Sequence, residues 1–542
     1  MALQFSCIGR DQCRSVLIGL LLSCSFLAQA TALGQDLSSV DPALADPQGI
    51  SQVLSQGDPT PLVQLLDDLE AELQANARPL KLEEAVSLGI ANNPKLLDAF
   101  SSIQQYEWQL IAAQRRWYPS LQLANGTPFA GYSWSTFVQN NYGFSRAASR
   151  QTGQGEGVLS EKSRLAVFQP GVILSWNFID PTRQPDINSA SDSLRQQKLL
   201  FDASARNLVL SIQQSYYSTQ SDQQLIDSFK KIYAINKQQL ATLTAQKSIG
   251  MVTVLDLEQT RSQLFAQLSQ LITYTRDFID QTALLAEALG LPPGALAIPS
   301  DAARMQGQWT LPLRETIARA TEQREEIQAS LAAAEAARWS AVAAIRSYLP
   351  VFQIVGAGNL YAINGLDGIP SNADPGDRYS RSRTWDGAAG LGFSWSIFDG
   401  GIQAANAEAA YAQERQQKAV AASTQLQVVR EVRSSYGQLI TSKIAVESAQ
   451  QAYRSAELAQ EAARARFEVG VGDITSVVQT IQQLSDAAEQ VAQAVLAYNI
   501  AIAELYRYSA TWPAQTESAV QNRIRTMRHP TASTPASETS SP

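Results

Sequence analysis

The chain has 542 residues and a formal net charge of −8 at pH 7. This acidic balance gives no electrostatic reason to expect nucleic acid as a partner. The single histidine, His529, lies near the C-terminus, and the three cysteines lie between Cys7 and Cys24. The usual side chains of a metal site or an acid–base catalyst are therefore missing from most of the chain, which predicts no metal, no cofactor and no enzyme activity.

Residues 1–30 have the layout of a secretory signal peptide. The basic part contains Arg10 and Arg14, and the apolar part covers 15–28. The small residues Ala28, Ala30 and Ala32 follow. Cleavage after Ala30 or Ala32 would leave no cysteine. Two alternatives stay open: a membrane anchor, although the run is shorter than the roughly 20 apolar residues of a span, and a lipobox that ends at Cys24. The sequence predicts an exported protein. No later segment suits a membrane-spanning helix, so any insertion would use strands.

The next segment, 31–79, is rich in Asp, Pro, Gln and Ser, and only 62–76 has a helical pattern. It is predicted to be a flexible N-terminal extension. From Leu80 a helical pattern runs to Trp117, and the Asn-Asn-Pro sequence that ends at Pro94 divides it into two helices.

Two runs of alternating apolar and polar residues follow, at 117–123 and 171–180. Alternation with a period of two predicts strands. Residues 124–165 between them are rich in Gly, Ser, Asn and Gln, which predicts a long loop. A helical segment without Gly or Pro then extends to Ser248. The chain turns at Gly250 and forms a second predicted helix, which ends at Gly290.

The same order of elements occurs again in the second half of the chain. Pro350 matches Pro119 at an offset of 231 residues, and Gly470 matches Gly250 at an offset of 220. The second copy is therefore shorter between its two strands, where a surface loop tolerates such a change. This pattern predicts an internal duplication. The predicted segments are repeat 1 at 80–291, a linker at 292–308, repeat 2 at 309–512 and a disordered tail at 513–542.

One face of the predicted strands is apolar, and the opposite face is small or polar. The apolar face carries Leu121, Leu123, Leu174, Trp176, Phe352, Ile354, Phe393 and Trp395. Aromatic residues such as Trp117 and Tyr348 lie at the strand ends, as in membrane β-barrels. A soluble sheet that packs one face on a core shows the same alternation. The long helices leave no partner layer for such a sheet, so these eight residues are predicted to face membrane lipid.

Four strands per chain cannot close a membrane barrel, because these barrels begin at about eight strands. The barrel must then be shared between chains, and three copies leave a wider lumen than two. Each long helix, at roughly 100 Å, suits an antiparallel coiled-coil hairpin. Its Gln-rich face suits a water-filled interior, and a face that is merely solvated is the alternative. The predicted fold class is mainly α with a membrane β-barrel, built from a duplicated helix–strand–strand–helical hairpin unit.

In this order of elements, residues 80 to about 510 resemble the TolC-like outer membrane efflux proteins. The matching features are the strand start at Tyr118 and Pro119, the strand ends at Trp176/Asp180 and Trp395/Asp399, and the two hairpin turns. The resemblance implies a homotrimeric conduit, in which a barrel in the outer membrane continues as a helical tunnel across the periplasm. It also implies a periplasmic adaptor (a membrane fusion protein) and an inner-membrane pump of the RND or ABC type as partners. The exported cargo would be drugs, small molecules or proteins, in tripartite efflux or type I secretion.

The resemblance places the adaptor contact at the tips of the helical hairpins. The matching positions run from Ile249 to Asp256 and from Val469 to Ile474. The residues singled out within them are Ile249, Gly250, Met251, Thr253, Asp256, Val469, Gly470, Val471 and Gly472. Glycine allows a tight turn, and apolar Met251 and Val471 at a tip suit a partner surface. An ordinary helix-hairpin turn is the alternative.

Family members often close the tunnel with acidic residues just after the second turn. The matching positions here are Ser476 and Gln479, which carry no charge, and Asp473 is the nearest carboxylate. These three residues are the predicted pore or gate residues, and an acidic gate could involve Asp473 alone. Among functions, an export duct is favoured. A periplasmic coiled-coil adaptor or scaffold is the alternative, but it would normally have one helical hairpin between β-domains.

Overall fold

The structure is a computed structural model that describes residues 60–123, 130–140, 158–370, 379–513 and 516–528. The predicted signal peptide, Cys24, the first part of the predicted extension and the end of the predicted tail lie outside the described residues.

The described helices are α1 Thr60–Asn76, α2 Leu82–Asn92, α3 Pro94–Arg115, α4 Arg183–Ser248, α5 Val254–Leu289, α6 Leu313–Gln323, α7 Glu325–Arg346, α8 Ile402–Glu468, α9 Ile474–Tyr508 and α10 Thr516–Arg528. The described strands are β1 Ala77–Leu80, β2 Ser120–Leu123, β3 Ala130–Asn140, β4 Val158–Phe168, β5 Gly171–Ile179, β6 Leu296–Pro299, β7 Val351–Pro370 and β8 Tyr379–Ser394. In the described part of the chain, no helix is both long enough and apolar enough to cross a membrane.

The chain divides into two compact units, and each unit combines parts of both predicted repeats. One unit comprises Met1–Phe100, Asp202–Arg324 and Leu426–Pro542, and it contains both hairpin turns. The other unit comprises Ser101–Phe201 and Glu325–Gln425, and it contains the large sheet.

The large sheet is antiparallel and is organised around β7. Strand β5 pairs with the first half of β7 and β4 with its second half, while β8 runs along the opposite side. Strand β2 pairs with β5, and β3 pairs with β4. Only Gln169 and Pro170 separate β4 from β5. Proline has no backbone N–H for the ladder, and the Pro170 carbonyl accepts a hydrogen bond from the Leu360 N–H at 2.9 Å.

The predicted long loop, 124–165, differs from the structure because it contains β3 and part of β4. The segment as a whole is rich in Gly and Ser, but β3 itself contains strand-favouring residues such as Tyr132, Trp134 and Phe137, which the prediction overlooked. In the second hairpin, β7 and β8 are longer than the predicted strands. Strand β8 ends at Ser394, so Trp395 lies just beyond it.

The long helices α4, α5, α8 and α9 form the core of the unit that contains both hairpin turns, as their apolar spacing predicts. One cluster joins all four helices near the hairpin turns, with Leu243 from α4, Leu257 from α5, Ala456 from α8 and Ile474 from α9. The predicted limits of the first hairpin, Ser248 and Leu289, agree with the ends of α4 and α5.

Residues 60–79 of the predicted flexible extension are folded in the structure. Helix α1 packs through Leu62 on Tyr233 of α4 and on Leu264 of α5. The Lys230 ammonium group pairs with Asp67 at 2.6 Å and with Glu70 at 2.5 Å. Strand β1 then pairs in parallel with β6, inside the predicted linker 292–308. Contacts with distant parts of the chain therefore order a segment whose composition is typical of a flexible one.

The predicted disordered tail also differs from the structure over part of its length. Residues 516–528 form α10, which packs on α2, and Val520 is buried. A short amphipathic helix of this kind is stable because its apolar side has a surface to cover.

Candidate functional site

The first hairpin tip joins α4 to α5 through a left-handed residue. Gly250 has φ 77°, and the N–H of Met251 donates to the carbonyl of Gln246 at 3.0 Å. This bond satisfies a carbonyl at the end of α4 that lacks a partner within the helix. The predicted role of Gly250 in the turn agrees with this geometry.

The second tip, between α8 and α9, repeats the same geometry. Gly470 has φ 76°, and the N–H of Val471 donates to the carbonyl of Arg466 at 3.0 Å. Gly472 adds a second bond to the same carbonyl at 2.9 Å. A Cβ atom at Gly472 would lie 3.0 Å from the backbone nitrogen of Phe467, so a side chain here would be tightly packed against the end of α8.

The two return helices begin differently. At the start of α5, Thr253 and Asp256 form a capping box: the Asp256 carboxylate accepts from the Thr253 N–H at 2.8 Å, and the Thr253 hydroxyl accepts from the Asp256 N–H at 3.3 Å. At the start of α9, Asp473 is the capping residue, and its side chain makes no capping hydrogen bond. Asp256 is therefore occupied by its own helix, whereas the carboxylate of Asp473 is not.

Both tips expose apolar side chains, and we call this set the tip surface. Its members are Ile249, Met251, Val254, Leu255, Val469 and Val471. Met251 is 70% exposed and Val471 is 72% exposed, although both are apolar. Val254 and Leu255 lie inside the predicted tip run from Ile249 to Asp256, and the structure exposes both in the first turn of α5. A cluster of exposed apolar residues marks a surface for a partner.

The two tips are packed together within one unit. Leu257 of the first hairpin and Ile474 of the second belong to the same buried cluster. Further along the helices, the side-chain amide nitrogen of Gln263 donates to the side-chain oxygen of Gln482 at 2.5 Å. The tip surface is therefore one patch with contributions from both repeats.

The three predicted pore residues lie on one exposed face at the start of α9. Asp473, Ser476 and Gln479 are three residues apart, so they share this face. The buried side of the same turns carries Ile474 and Val477. The polar face continues along the helix through Gln483, Asp486 and Gln490, which are also exposed. These three were not predicted, although the same spacing extends to them.

The strand register brings seven of the eight residues predicted to face lipid onto one face of the sheet. Directly paired residues and alternate residues of a strand share a face. The pairs are Leu121 with Leu174, Leu123 with Val172, Trp176 with Ile354, and Phe352 with Phe393. The opposite face carries Gln122, Ser175 and Gln353, together with the apolar Ile173 and Val355.

The eighth residue, Trp395, lies beyond β8 but keeps the contact of its counterpart in repeat 1. The Trp176 indole N–H donates to the carbonyl of Trp117 at 2.9 Å, and the Trp395 indole N–H donates to that of Tyr348 at 2.9 Å. Tyr348 and Trp117 precede the first strand of each hairpin. The same bond thus joins the start and the end of both hairpins.

One acidic residue in the helical unit has a strongly shifted pKa. Burial, and to a lesser extent the nearby carboxylate of Asp277, raise the pKa of Asp222 to about 7. Asp222 lies on α4, and the matching residue of α8 is Ser442, which is uncharged. Only repeat 1 has a group that titrates near neutral pH at this position.

Comparison with known proteins agrees with this architecture. The family model described as outer membrane efflux protein matches residues 85–291 and 316–511. Outer membrane protein TolC of Vibrio cholerae is 23% identical over 348 residues, which are 62% of this chain and 76% of that protein. The Campylobacter jejuni CmeC outer membrane channel has a TM-score of 0.63 at 17% identity, over 82% of this chain and 89% of CmeC. The open-state MtrE outer membrane channel of Neisseria gonorrhoeae has a TM-score of 0.59 at 15% identity, over 80% of this chain and 89% of MtrE.

The chain belongs to the family of outer membrane efflux proteins. These proteins are the outer membrane channels of tripartite efflux systems; they are transport conduits and not enzymes. They lie in the outer membrane and continue into the periplasm as a helical tunnel. The family, the location and the transport function predicted from the sequence are confirmed.

Proposed function

We propose that three copies of this chain form one outer membrane duct, to which each copy contributes four barrel strands. The strands would be β2 with β3, β4 with β5, β7, and β8. Strands β4 and β5 count as one because only Gln169 and Pro170 separate them. The observation that carries the proposal is the sheet itself, which has one apolar face, a more polar opposite face and, among the described strands, unpaired edges at β2/β3 and β8. Unpaired edges are not tolerated in lipid, and pairing with further copies removes them.

The apolar face of the sheet would contact lipid and the polar face would line the lumen. Aromatic contacts continue across the lipid-facing side: the rings of Phe178 and Phe352 are 6.5 Å apart, and those of Phe352 and Phe393 are 6.2 Å apart. The two repeats, 80–291 and 309–512, would then each supply one strand pair and one helical hairpin.

The tip surface would bind a periplasmic adaptor, which connects the duct to an inner-membrane pump of the RND or ABC type. Apolar residues such as Met251 and Val471 would be covered in that complex. Drugs, small molecules or proteins delivered by the pump would leave through the duct, in efflux or type I secretion. Selection of the cargo would lie in the pump, since a passive duct moves what the pump delivers.

The pore would narrow near the tips, where three Asp473 carboxylates form a ring beside Ser476 and Gln479. The free carboxylate of Asp473 supports this assignment, because it is exposed and does not cap its helix. Rings of acidic side chains favour cations in channels. Asp473→Asn should therefore lower the preference for cations when the purified duct conducts ions across a planar bilayer. An unchanged preference would remove Asp473 from the pore.

The assembly is tested by native mass measurement of protein extracted from outer membranes with detergent. Three copies are expected, and a monomer would overturn the proposed duct.

The tip surface is tested separately with Met251→Asp plus Val471→Asp, measured as export in cells that lack the natural chain. Export should fall while the trimer is retained. Leu426→Asp is the control, because Leu426 is equally exposed on α8 but lies far from the tips. Full export by the double variant would exclude the tip surface as the adaptor contact.

A further inference from the structure

A short basic motif occurs twice in the large sheet, once in each repeat. Repeat 1 has the sequence Lys-Ser-Arg at 162–164 in β4, and repeat 2 has Arg-Ser-Arg at 381–383 in β8. An offset of 219 residues relates the two copies, and the same offset relates Trp176 to Trp395. We call these two segments the basic motifs.

The residues that follow the basic motifs have diverged between the repeats. No residue of 165–170 is identical to its counterpart in 384–389. A strand requires only that its side chains alternate between two faces. Strand formation alone therefore does not explain why two positive charges are retained at fixed positions while their neighbours differ.

The basic motif of β8 lies on the face of the sheet that is proposed to contact lipid. The register between β7 and β8 is continuous along their paired length. Alternate residues of a strand share a face, so Arg381 and Arg383 lie on the same face as Phe393. Both arginine side chains are exposed.

The register places the motif of β4 beside that of β8. Arg164 pairs with Leu366 of β7, and Leu366 pairs with Tyr379, two residues before Arg381. Arg164 therefore has a register position on the same face as Arg381. Strands β4 and β8 flank β7, and two strand spacings separate them by about 10 Å. The two motifs thus form one basic patch in each chain.

The distance of this patch from Phe393 fits the thickness of a membrane. At about 3.4 Å per residue, Arg383 is about 34 Å from Phe393 along β8, and a strand tilt of about 40° makes this about 26 Å along the membrane normal. The apolar band of a membrane barrel is about 25 Å tall. Between these two residues, the same face of β8 carries only uncharged residues: Leu391, Ala389, Gly387 and Trp385.

The arginines of β8 are not neutralised by the strand that carries them. The single acidic residue of β8, Asp386, lies on the opposite face by alternation, and it accepts a hydrogen bond from the side-chain amide of Asn359 at 3.1 Å. The residues opposite the two arginines in β7 are Ala362 and Asn364, which are uncharged. Their positive charge is therefore available to a ligand on the lipid-facing side.

We propose that the basic patch binds the phosphate of an anionic lipid headgroup in the outer leaflet. Strand β8 continues into α8 beyond Phe393, so the patch lies at the other, outer end of the proposed barrel. The guanidinium group of arginine forms paired hydrogen bonds with phosphate. Arg381 and Arg383 are about 7 Å apart along the strand, so both can contact one headgroup. The proposal rests on the duct and the lipid-facing side proposed above.

The alternative is that these long side chains only extend from the membrane surface into water. Native mass measurement of the purified protein in an uncharged detergent separates the two cases. Phosphatidic acid, whose headgroup is an anionic phosphate, is titrated and compared with phosphatidylcholine, whose headgroup has no net charge. The natural trimer should bind phosphatidic acid at least about tenfold more tightly. Equal affinity for the two lipids would overturn the proposed site.

Two double variants locate the binding. Arg381→Gln plus Arg383→Gln should lower the affinity for phosphatidic acid by about tenfold, and Lys162→Gln plus Arg164→Gln should lower it by a similar factor. The matched control is Arg314→Gln plus Arg454→Gln, which removes the same charge from exposed positions on helices and should change nothing. Trimer mass checks that each variant is folded. Unchanged affinity in either test variant would contradict a patch shared by both motifs.

A competition experiment identifies the source of the phosphate. Inorganic phosphate at the same concentration should not displace phosphatidic acid, because the acyl chains add to the affinity of the lipid. Displacement would show a site for free phosphate and overturn the lipid assignment. A trimer without a preference for phosphatidic acid overturns this site alone, whereas a monomeric natural protein overturns the proposed duct as well.

Discussion

Helices α5 and α9, the second helices of the two hairpins, are each followed by a residue in the left-handed conformation. The residue is glycine after α5 and alanine after α9, so the same turn is made with and without a side chain. Helix α5 is followed by Gly290, with φ 65°, and α9 by Ala510, with φ 55°, at the matching position. Glycine adopts this left-handed region without penalty, whereas alanine does not. A Cβ atom at Gly290 would lie 2.8 Å from the carbonyl oxygen of Asn92. The duplication has kept the turn, but only repeat 1 depends on glycine to make it.

The largest effect is expected from Gly290→Ala. The left-handed conformation costs about 1–2 kcal/mol for alanine, and moving the overlapping backbone at Asn92 costs about 1–3 kcal/mol more. We expect a loss of about 3 kcal/mol in the free energy of unfolding, measured with denaturant in detergent. The matched change, Ala510→Gly, should stay within about 1 kcal/mol, because relief of the conformation is offset by the lost methyl burial. Equal effects at the two sites would show that the repeats do not differ here.

A smaller effect, confined to repeat 1, is expected from pH. Asp222 has a pKa of about 7 in the folded protein and 3.8 as its ordinary value. Between these values the folded state binds a proton that the unfolded state releases. Stability should therefore fall as pH rises through this window, and Asp222 should add no further change above it. Because the group is partly exposed, the fall is on the order of 2 kcal/mol.

The measurement compares denaturant unfolding at about pH 4.5 and about pH 7.5, on either side of most of this window. Asp222→Ser copies Ser442 of repeat 2 and should remove this part of the pH dependence. A variant with the same pH dependence as the natural protein would contradict the assignment to Asp222.

The smallest effect concerns the starts of α5 and α9. Asp256→Ala removes the capping box and should cost about 1 kcal/mol of local stability. Asp473→Ala should cost only a few tenths of that, because its side chain makes no capping bond. Hydrogen exchange of the first amides of each helix measures both. If Asp473→Ala accelerates amide exchange at the start of α9 more than Asp256→Ala does at the start of α5, the expected order of the two effects is wrong.

The long elements could be predicted from the sequence because their signals are local. Absence of Gly and Pro up to Ser248, and glycine at positions 250 and 470, identify the hairpins without any knowledge of distant contacts. The strand faces were also predictable, since Leu121, Leu174 and Phe352 follow a simple alternation that the register brings together.

The remaining elements could not be predicted because distant residues stabilise them. Helix α1 is held by Tyr233 and Leu264, far along the chain, and β1 requires β6 as its partner. Strands β3 and β4 pair with each other, and β4 also pairs with β7; the Gly- and Ser-rich composition around them hid the strand-favouring residues of β3. In the site, Val254 and Leu255 belong to the predicted tip run, but only the structure shows that both side chains are exposed in the first turn of α5. The lipid-facing, pore and adaptor roles stay predictions.

The central place of β7 also determines when the sheet can form after export. Strands β4 and β5 pair with β7, which follows them in the chain only after the whole of α4, α5 and α7. Until then, β5 has only the short β2 beside it, and one edge of β4 is unpaired. Pairings between such distant segments form slowly. Before β7 is available, the open edges of β4 and β5 therefore need protection from aggregation.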